Sequence, residues 1–485
     1  MQAPAHVNTG IHIHPDHSRV IVRSFIPSDP KSVCRVIERA LALSADEVRG
    51  RLDGLHEQFD SRHPCLTCAW DDHYKLVQHF IPKEESLTRE QRLYIGALFS
   101  GEYALESAAL FNPSIVPHPD QSDLEEGALR FIMSLRATGE GHISSIAFRS
   151  GVVDSSGKVA LDPSSAQTSA PELDPDPKFR KSSFFRRLHQ MEFDNAWSRT
   201  LMQALGDHFT RSELDAACVE THASVHQSRN TIECIQWLAR ANYQVSFEPS
   251  VPLSQRIIFP TSPSESNGIE DARFVLFTDE DGTRTYYATY TAYNGHTILP
   301  QLLETQDFLS FQARTFDGAC VRNKGMALFP RKINGRYVML SRQDDENLYL
   351  MSSDDVLVWE KAERLRAPTE AWEAVKIGNC GSPMETGAGW LVLTHGVGAM
   401  RRYCIGALLL DLDDPSIVLG HLPLPLLEPD EPARNGYVPN VVYTCGAIIH
   451  AGHLILPYGL SDTSTTIATL HLEDLLAKIL PEPDA

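Results

Sequence analysis

The stretch Asn267-Gly-Ile-Glu-Asp-Ala-Arg273 sets two carboxylates, Glu270 and Asp271, side by side with an arginine close behind. A carboxyl flanked by a like charge and partly buried can be held protonated near neutral pH, which suits it to general-acid work. Taken alone, Asp271 also reads as a turn aspartate capping a strand. Five short apolar segments, 131–136, 286–291, 337–342, 390–395 and 454–459, supply a context. Each closes on a polar or basic group, and in register these are Arg136, Tyr290, Arg342, His395 and Tyr458. Strands repeated about an axis would aim those ends at one pocket, within reach of Glu270 and Asp271.

The elements that must position them read as small antiparallel sheets. A strand precedes each segment (111–117, 272–277, 327–332, 382–386, 438–443) and another follows it (142–149, 296–303, 347–352, 402–411, 465–471). Loop signals such as Asp279-Glu-Asp-Gly282, Asn334-Gly335 and Gly387-Ala-Gly389 make hairpins of the first two strands. Units recur about every 50–60 residues from the second onward, near the range of propeller repeats. Radial packing covers both faces of each sheet and protects its edges, which a β-sandwich with irregular loops does less well. The expected fold is all-β, a five-bladed β-propeller at 106–150 and 241–472. A mainly helical N-terminal extension (1–105), a helical insertion (151–240) and a C-terminal tail (473–485) complete the expected domains. Ser44-Ala-Asp-Glu47 is a capping box ahead of Val48, Leu52 and Leu55, and Phe184, Leu188, Trp197 and Leu201 mark the insertion's helices. The Ser/Pro/Asp-rich stretch 153–175 reads as linker or surface loop.

Composition narrows the function classes. With 42% hydrophobic and 22% charged residues the chain is an ordinary globular protein, and a net charge of −20 would repel a nucleic-acid backbone. No apolar run approaches the ~18–20 residues of a membrane span, and the first residues lack a signal-peptide pattern, so a cytoplasmic location is expected. Nine scattered cysteines argue for reduced thiols; Cys65-Leu-Thr-Cys68, with His63 beside it, reads as structural or incidental rather than zinc-binding. Gly139-Glu-Gly141 and 378–381 lack the strand-to-helix setting of a nucleotide loop, and Ile11-His-Ile-His14 reads as a mobile terminus or short edge strand. Neither metal nor cofactor is expected.

The motifs themselves carry a resemblance. Besides 267–273, they are Lys324-Gly-Met-Ala-Leu-Phe-Pro330 with Asn334-Gly-Arg-Tyr-Val338, Trp372 with Lys376-Ile-Gly378, and Gly389-Trp-Leu391 with His395-Gly396. Gly406-Ala-Leu-Leu-Leu-Asp411, Gly436-Tyr-Val-Pro-Asn-Val-Val442, Tyr458-Gly459 and Asp462 continue the series. In this order the set resembles glycoside hydrolase family 130, which contains β-mannoside phosphorylases and β-mannosidases on a five-bladed propeller. The resemblance implies that Asp271 is the proton donor, acting on the glycosidic oxygen through a sugar hydroxyl. It also implies a phosphate site at Arg136, Arg273, Lys324, Arg342 and His395. Arginine suits a dianion through its planar paired donors, and lysine as a point charge.

Sugar contacts are expected from Asp462, which stands where the family binds the nonreducing-end sugar, and from Asn112, Tyr290, Trp372 and Tyr458. Ser341-Arg-Gln343 departs from the His-Arg-Pro of many family phosphorylases, and Thr394 stands where tyrosine is common. The reaction so implied is inverting phosphorolysis of a β-mannoside oligosaccharide by inorganic phosphate as co-substrate, giving α-mannose 1-phosphate. Family hydrolases activate water with glutamates, so an inverting β-mannosidase using Glu373 or Glu385 is the enzyme alternative. A non-catalytic propeller that binds carbohydrate or protein is the other. The sequence is compatible with a homo-oligomer whose interface lies on the helical extension or insertion, regions that could equally close the pocket or lengthen the acceptor site.

Overall fold

The computed structural model describes residues 7–81, 87–224 and 229–480, mostly strands, with helices gathered in two blocks. Each of the five apolar segments forms the second strand of an antiparallel meander. The first sheet runs Ala109–Pro117, Leu129–Thr138 and Ser144–Val153; the second runs Gly268–Thr278, Arg284–Tyr293, Ile298–Thr305 and Ser310–Thr315. A single parallel pairing, Gly268 with Ser144, joins these two into one extended sheet. The third contains Ala327–Leu328, Tyr337–Ser341, Leu348–Ser353 and Ala362–Arg366. In the fourth, Lys376–Asn379 and Met384–Thr386 both pair with Gly389–Val397, followed by Tyr403–Leu410 and Val418–His421. The fifth takes Val442–Tyr443, Ile448–His450, His453–Leu460 and Ser464–His471, and its edge is the N-terminal strand Val7–Ile13. The His-rich stretch is therefore largely an edge strand bound to the far end of the chain.

Because side chains alternate across a strand, each sheet offers an apolar face to both neighbours. Phe148 packs with Phe274 between sheets one and two, and Phe277 with Met339 between two and three. Leu340 meets Trp390 between three and four, Leu393 meets Leu456 between four and five, and Phe131 meets Ile455 between five and one. Hydrogen bonds follow the same circuit. Phe274 N donates to Ser114 Oγ (3.0 Å), Thr278 N to the Pro330 carbonyl (2.9 Å) and Ile377 N to that of Glu346 (3.0 Å). Tyr403 N donates to the Asn440 carbonyl (3.0 Å), and Cys445 N returns to that of Pro113 (2.7 Å). Ile115, Phe274, Met384 and Ile448, from sheets one, two, four and five, and Arg331, in the loop after the first strand of sheet three, line one cavity of about 370 Å³. Strands preceding the second strands of sheets one, two, four and five supply most of this lining, and no second-strand residue is part of it.

Helices Pro30–Leu41, Ala45–Phe59, Leu66–Val77 and Arg89–Leu98 share a core of Val33, Val48, Leu52 and Trp70. The capping box is present, with Ser44 Oγ accepting from Glu47 N and the Glu47 carboxylate accepting from Ser44 N. Lys181–Gln190, Ala196–Ala204, Arg211–Ser224 and Arg229–Ala241 form the second block around Phe184, Leu188, Trp197 and Leu201. One expectation is corrected: Cys65 and Cys68 are joined as a disulfide at the start of Leu66–Val77, where the helical turn brings their Cα atoms to 5.5 Å. The other seven cysteines are free. Within 473–485, helix Leu472–Ile479 packs Leu475 and Ile479 against the fourth and fifth sheets; 481–485 lie outside the described residues. Among the described residues no helix is long and apolar enough to cross a membrane.

Candidate active site

Two bulges at equivalent places build the acidic end of the site. In the first strand of sheet one the ladder slips between Phe111 and Ser114, and in that of sheet two between Glu270 and Arg273. A bulge re-aims the side chain at its crest. The crest residues Asn112 and Asp271 have φ of 48° and 53°, in the left-handed region that Asn and Asp tolerate better than other non-glycine residues. Their side chains meet: Asn112 Nδ2 donates to Asp271 Oδ1 at 2.7 Å. Asn112 Oδ1 is buried and has no partner among the described residues, leaving an acceptor for a ligand hydroxyl.

Arg136, at the end of the second strand of sheet one, ties this acid to its neighbour. Nη1 reaches Asp271 Oδ1 (3.2 Å), Nη2 reaches Glu270 Oε1 (2.7 Å) and Nε donates to Ser144 Oγ (2.9 Å). Arg273 is buried behind it, donating to the Asp271 carbonyl (2.9 Å), the Cys380 carbonyl (3.0 Å) and Tyr443 Oη (2.8 Å). Both guanidiniums, expected to bind phosphate, are thus engaged in holding Asp271. The electrostatics also reverse an expectation. Burial would raise the Asp271 pKa, but Arg136, Arg273, Lys324 and the Asn112 hydrogen bond outweigh it and hold the carboxyl well below its ordinary value. Glu270 does not keep its neighbour protonated, because Arg136 and Lys324 (Nζ to Oε2, 3.5 Å) pair with it. The proton is favoured instead on Asp462, in the turn after the second strand of sheet five. Burial and then the Asp271 charge push it up to about 6, against Arg136, Arg401 and Lys324.

A cationic end adjoins this one. Arg342 Nε donates to the Lys324 carbonyl at 3.1 Å, joining the two halves. Arg342 Nη1 lies 3.4 Å from His395 Nε2; a guanidinium only donates, so that imidazole nitrogen accepts. Burial first, then Arg342, Arg273 and Lys376, lower the His395 pKa far below its ordinary value, making it a neutral neighbour rather than a cation. Gly378 sits against this pair; a Cβ there would stand 2.5 Å from the imidazole and 2.7 Å from Arg342 Cδ. Lys376, quoted within a motif but given no role from sequence, binds Asp345 Oδ2 at 2.9 Å, and Asp345 Oδ1 lies 3.8 Å from Arg342. Lys376 carried a signal in its motif; Asp345, in a loop with neighbouring acids, carried none.

Other expected residues lie elsewhere. Tyr290 Oη donates to buried Glu265 (2.7 Å), which also accepts from Tyr243 Oη (3.1 Å) and from the backbone N–H groups of Thr261 and Ser262, just before Asn267. Tyr458 is buried in the core between sheets four and five. Trp372 packs against Gly396 and Gly406 and donates to the Pro423 carbonyl (3.3 Å). Both alternative bases are engaged in ion pairs. Glu373 is fully buried in an ion pair with Arg366 (2.7 Å) and accepts from Thr369 N and Glu370 N. Glu385 pairs with Arg331 (2.8 and 2.9 Å) at the cavity of about 370 Å³. No cluster of three His, Cys, Asp or Glu able to hold a metal occurs among the described residues.

A family model described as beta-1,4-mannooligosaccharide phosphorylase matches residues 247–480. Among curated proteins, the 1,2-beta-oligomannan phosphorylase of a Thermoanaerobacter species is 31% identical over 251 residues, 50% of this chain and 81% of that one. The beta-1,2-mannobiose phosphorylase of Listeria innocua is 33% identical over 232 residues, covering 46% of this chain and 63% of its own. The solved structure of the Listeria enzyme with beta-1,2-mannobiose matches 77% of this chain and 92% of that chain, at 22% identity and a TM-score of 0.45.

Proposed function

The chain belongs to glycoside hydrolase family 130, and on that premise we propose that it is an inverting β-mannoside phosphorylase. A phosphate oxygen forms a bond to the anomeric carbon while the glycosidic C–O bond breaks on the opposite face, leaving α-mannose 1-phosphate. The departing oxygen takes a proton that originates on Asp271 and passes through a sugar hydroxyl. Asp271 is ionised without substrate, so it must gain its proton as the site fills. Sugar excludes water from the acid, and phosphate offsets the cations that hold it ionised; both raise its pKa. In this reading Arg136 and Arg273 position the acid, Lys324 and Arg342 receive phosphate, and His395 accepts from Arg342. Asp462 and Asn112 Oδ1 bind sugar hydroxyls.

The observation that carries the reading is the contrast between engaged glutamates and clustered cations. Glu373 and Glu385 are each held by an arginine, while Lys324 pairs with Glu270 and its carbonyl accepts from Arg342. Hydrolysis requires a base for water; phosphorolysis requires cations for a dianion. We further read the five meanders as blades of a propeller spanning 106–150 and 241–472, with strand 7–13 completing the fifth. The extension 1–105, the insertion 151–240 and the tail 473–485 are additions to it. The circuit of shared cores and hydrogen bonds, with the cavity lined from four sheets and the loop after the first strand of sheet three, supports this.

The test is incubation with β-1,2- and β-1,4-linked manno-oligosaccharides, with and without inorganic phosphate, followed by identification of the released sugar. α-Mannose 1-phosphate formed only with phosphate is the expected result. Free mannose at equal rates in both arms would overturn the reading.

A further inference from the structure

We propose that Lys376 is a phosphate-binding cation of this site, and that Asp345 is the internal carboxylate that occupies it until inorganic phosphate displaces it. The inference rests on the phosphorolysis reading and adds a ligand and a competitor to it. Five basic groups were expected around the phosphate, but three are unsuited in the structure. Arg136 and Arg273 are engaged by the acid end and its backbone, and His395 is neutral. Lys324 and Arg342 remain, and a dianion held by two cations lacks the fuller cationic cluster that phosphorolysis calls for.

Lys376 fills that gap. It starts the first strand of sheet four, two residues before Gly378, whose Cα faces both the His395 imidazole and Arg342. Its side chain is 19% exposed, and its charge acts on His395. Asp345 lies in the loop after the second strand of sheet three, at φ 62°, with its side chain 56% exposed. One oxygen contacts Lys376 (2.9 Å), the other lies by Arg342 (3.8 Å), and Asn323 Nδ2 is 3.5 Å away. A monoanion therefore sits between two cations of the cluster. An ion pair whose carboxylate is this exposed is weak, so a dianion that recruits Lys324 as well can replace it. Asp345 keeps the cations ordered and neutralised when phosphate is absent, at the cost of competing with phosphate when it is present.

The test uses the full chain with inorganic phosphate as the titrant. Calorimetric binding to wild type, Asp345→Asn, Lys376→Gln and Lys376→Arg gives a readout independent of turnover, and circular dichroism checks that each variant is folded. Asp345→Asn is expected to tighten phosphate binding about 3- to 10-fold. Lys376→Gln should weaken it about 10-fold, with Lys376→Arg recovering most of the loss. Asp345→Asn leaving phosphate affinity unchanged or weaker, or Lys376→Gln leaving it unchanged, overturns the proposal. Failure of the underlying reading looks different: wild type would release free mannose without phosphate, whatever the variants do. Should wild type bind no phosphate at all, both are refuted together.

Discussion

The two halves of the site are built to opposite specifications. At the acid end Asp271 and Arg136 are mostly buried, their contacts run from 2.7 to 3.2 Å, and two backbone bulges fix the crest residues. At the cation end Lys324 is 38% and Asp345 56% exposed, and the Lys324–Glu270 and Arg342–Asp345 contacts stretch to 3.5 and 3.8 Å. The difference teaches what each half has to do. A group that delivers one proton to one atom gains from rigid placement, because misplacement by an ångström is costly. A group that admits and releases a doubly charged ion gains from ion pairs that exchange readily.

The comparison breaks most visibly at its centre. Asp271→Asn keeps the size and the Asn112 and Arg136 contacts within reach but removes the transferable proton. We expect kcat to fall about 10³-fold or more, in the range of general-acid loss, while phosphate binding measured by calorimetry tightens rather than weakens, because the carboxylate charge that opposes the dianion is gone. An equal loss in phosphate binding would show that the halves are not separable. Arg136→Lys should have the next largest effect, about 10- to 100-fold in kcat/KM, because one ammonium cannot hold Glu270 and Asp271 as the guanidinium fork does. Arg136 lowers the Asp271 pKa, so weakening its hold raises that pKa. The limb of the pH profile on which activity declines as Asp271 loses its proton should then move to higher pH. A fall in rate without that movement would assign Arg136 to substrate contact rather than to positioning the acid.

The same asymmetry governed what could be read from the chain. The five meanders were legible because strand periodicity and turn residues are local, and the segments 131–136 and 390–395 fall inside observed second strands. Asp271, Asp462, Lys324 and Arg342, which carry roles in the proposed reaction, stand in or beside motifs that the family resemblance orders. Which charges cancel was not, because pairing is set by folds of chain far apart: Arg136 meets Asp271 across 135 positions and Arg273 meets Tyr443 across 170. Tyr290 and Tyr458 look like sugar platforms in sequence, whereas the fold buries them beside Glu265 and in the sheet-four and sheet-five core. The Cys65–Cys68 pairing likewise depended on local helix geometry rather than on cysteine count.

Asp462 sharpens the picture from the acid end, with a smaller effect. Its pKa is raised to about 6 by burial and by Asp271, above the ~3.9 of an unfolded aspartate. Between those values the folded protein binds more protons than the unfolded chain, so this group's contribution to stability falls as pH rises through that window. Above it the penalty is constant. Asp462→Asn removes the penalty, so thermal unfolding should show the variant more stable than wild type by about 2–3 kcal/mol at pH 8 and equal to it below about pH 3. A variant less stable at pH 8 would mean that the ionised carboxylate is fully compensated in the fold. A weaker KM for the mannoside should accompany the gain.

The smallest expected change tests whether the site ends where the comparison places it. Glu385 is 45% exposed and pairs with Arg331, 40% exposed, at the cavity of about 370 Å³ rather than at the strand ends that carry Arg136 and Arg342. Glu385→Gln loses one exposed ion pair, worth no more than about 1 kcal/mol. Phosphorolysis should stay within about twofold of wild type, since nothing that pairs with Glu385 contacts Asp271, Lys324 or Arg342. Comparing initial rates of mannose 1-phosphate and free mannose release checks this directly. A tenfold drop in either product would extend the chemistry to the cavity that Glu385 lines and dissolve the contrast between a fixed acid and an exchangeable anion site.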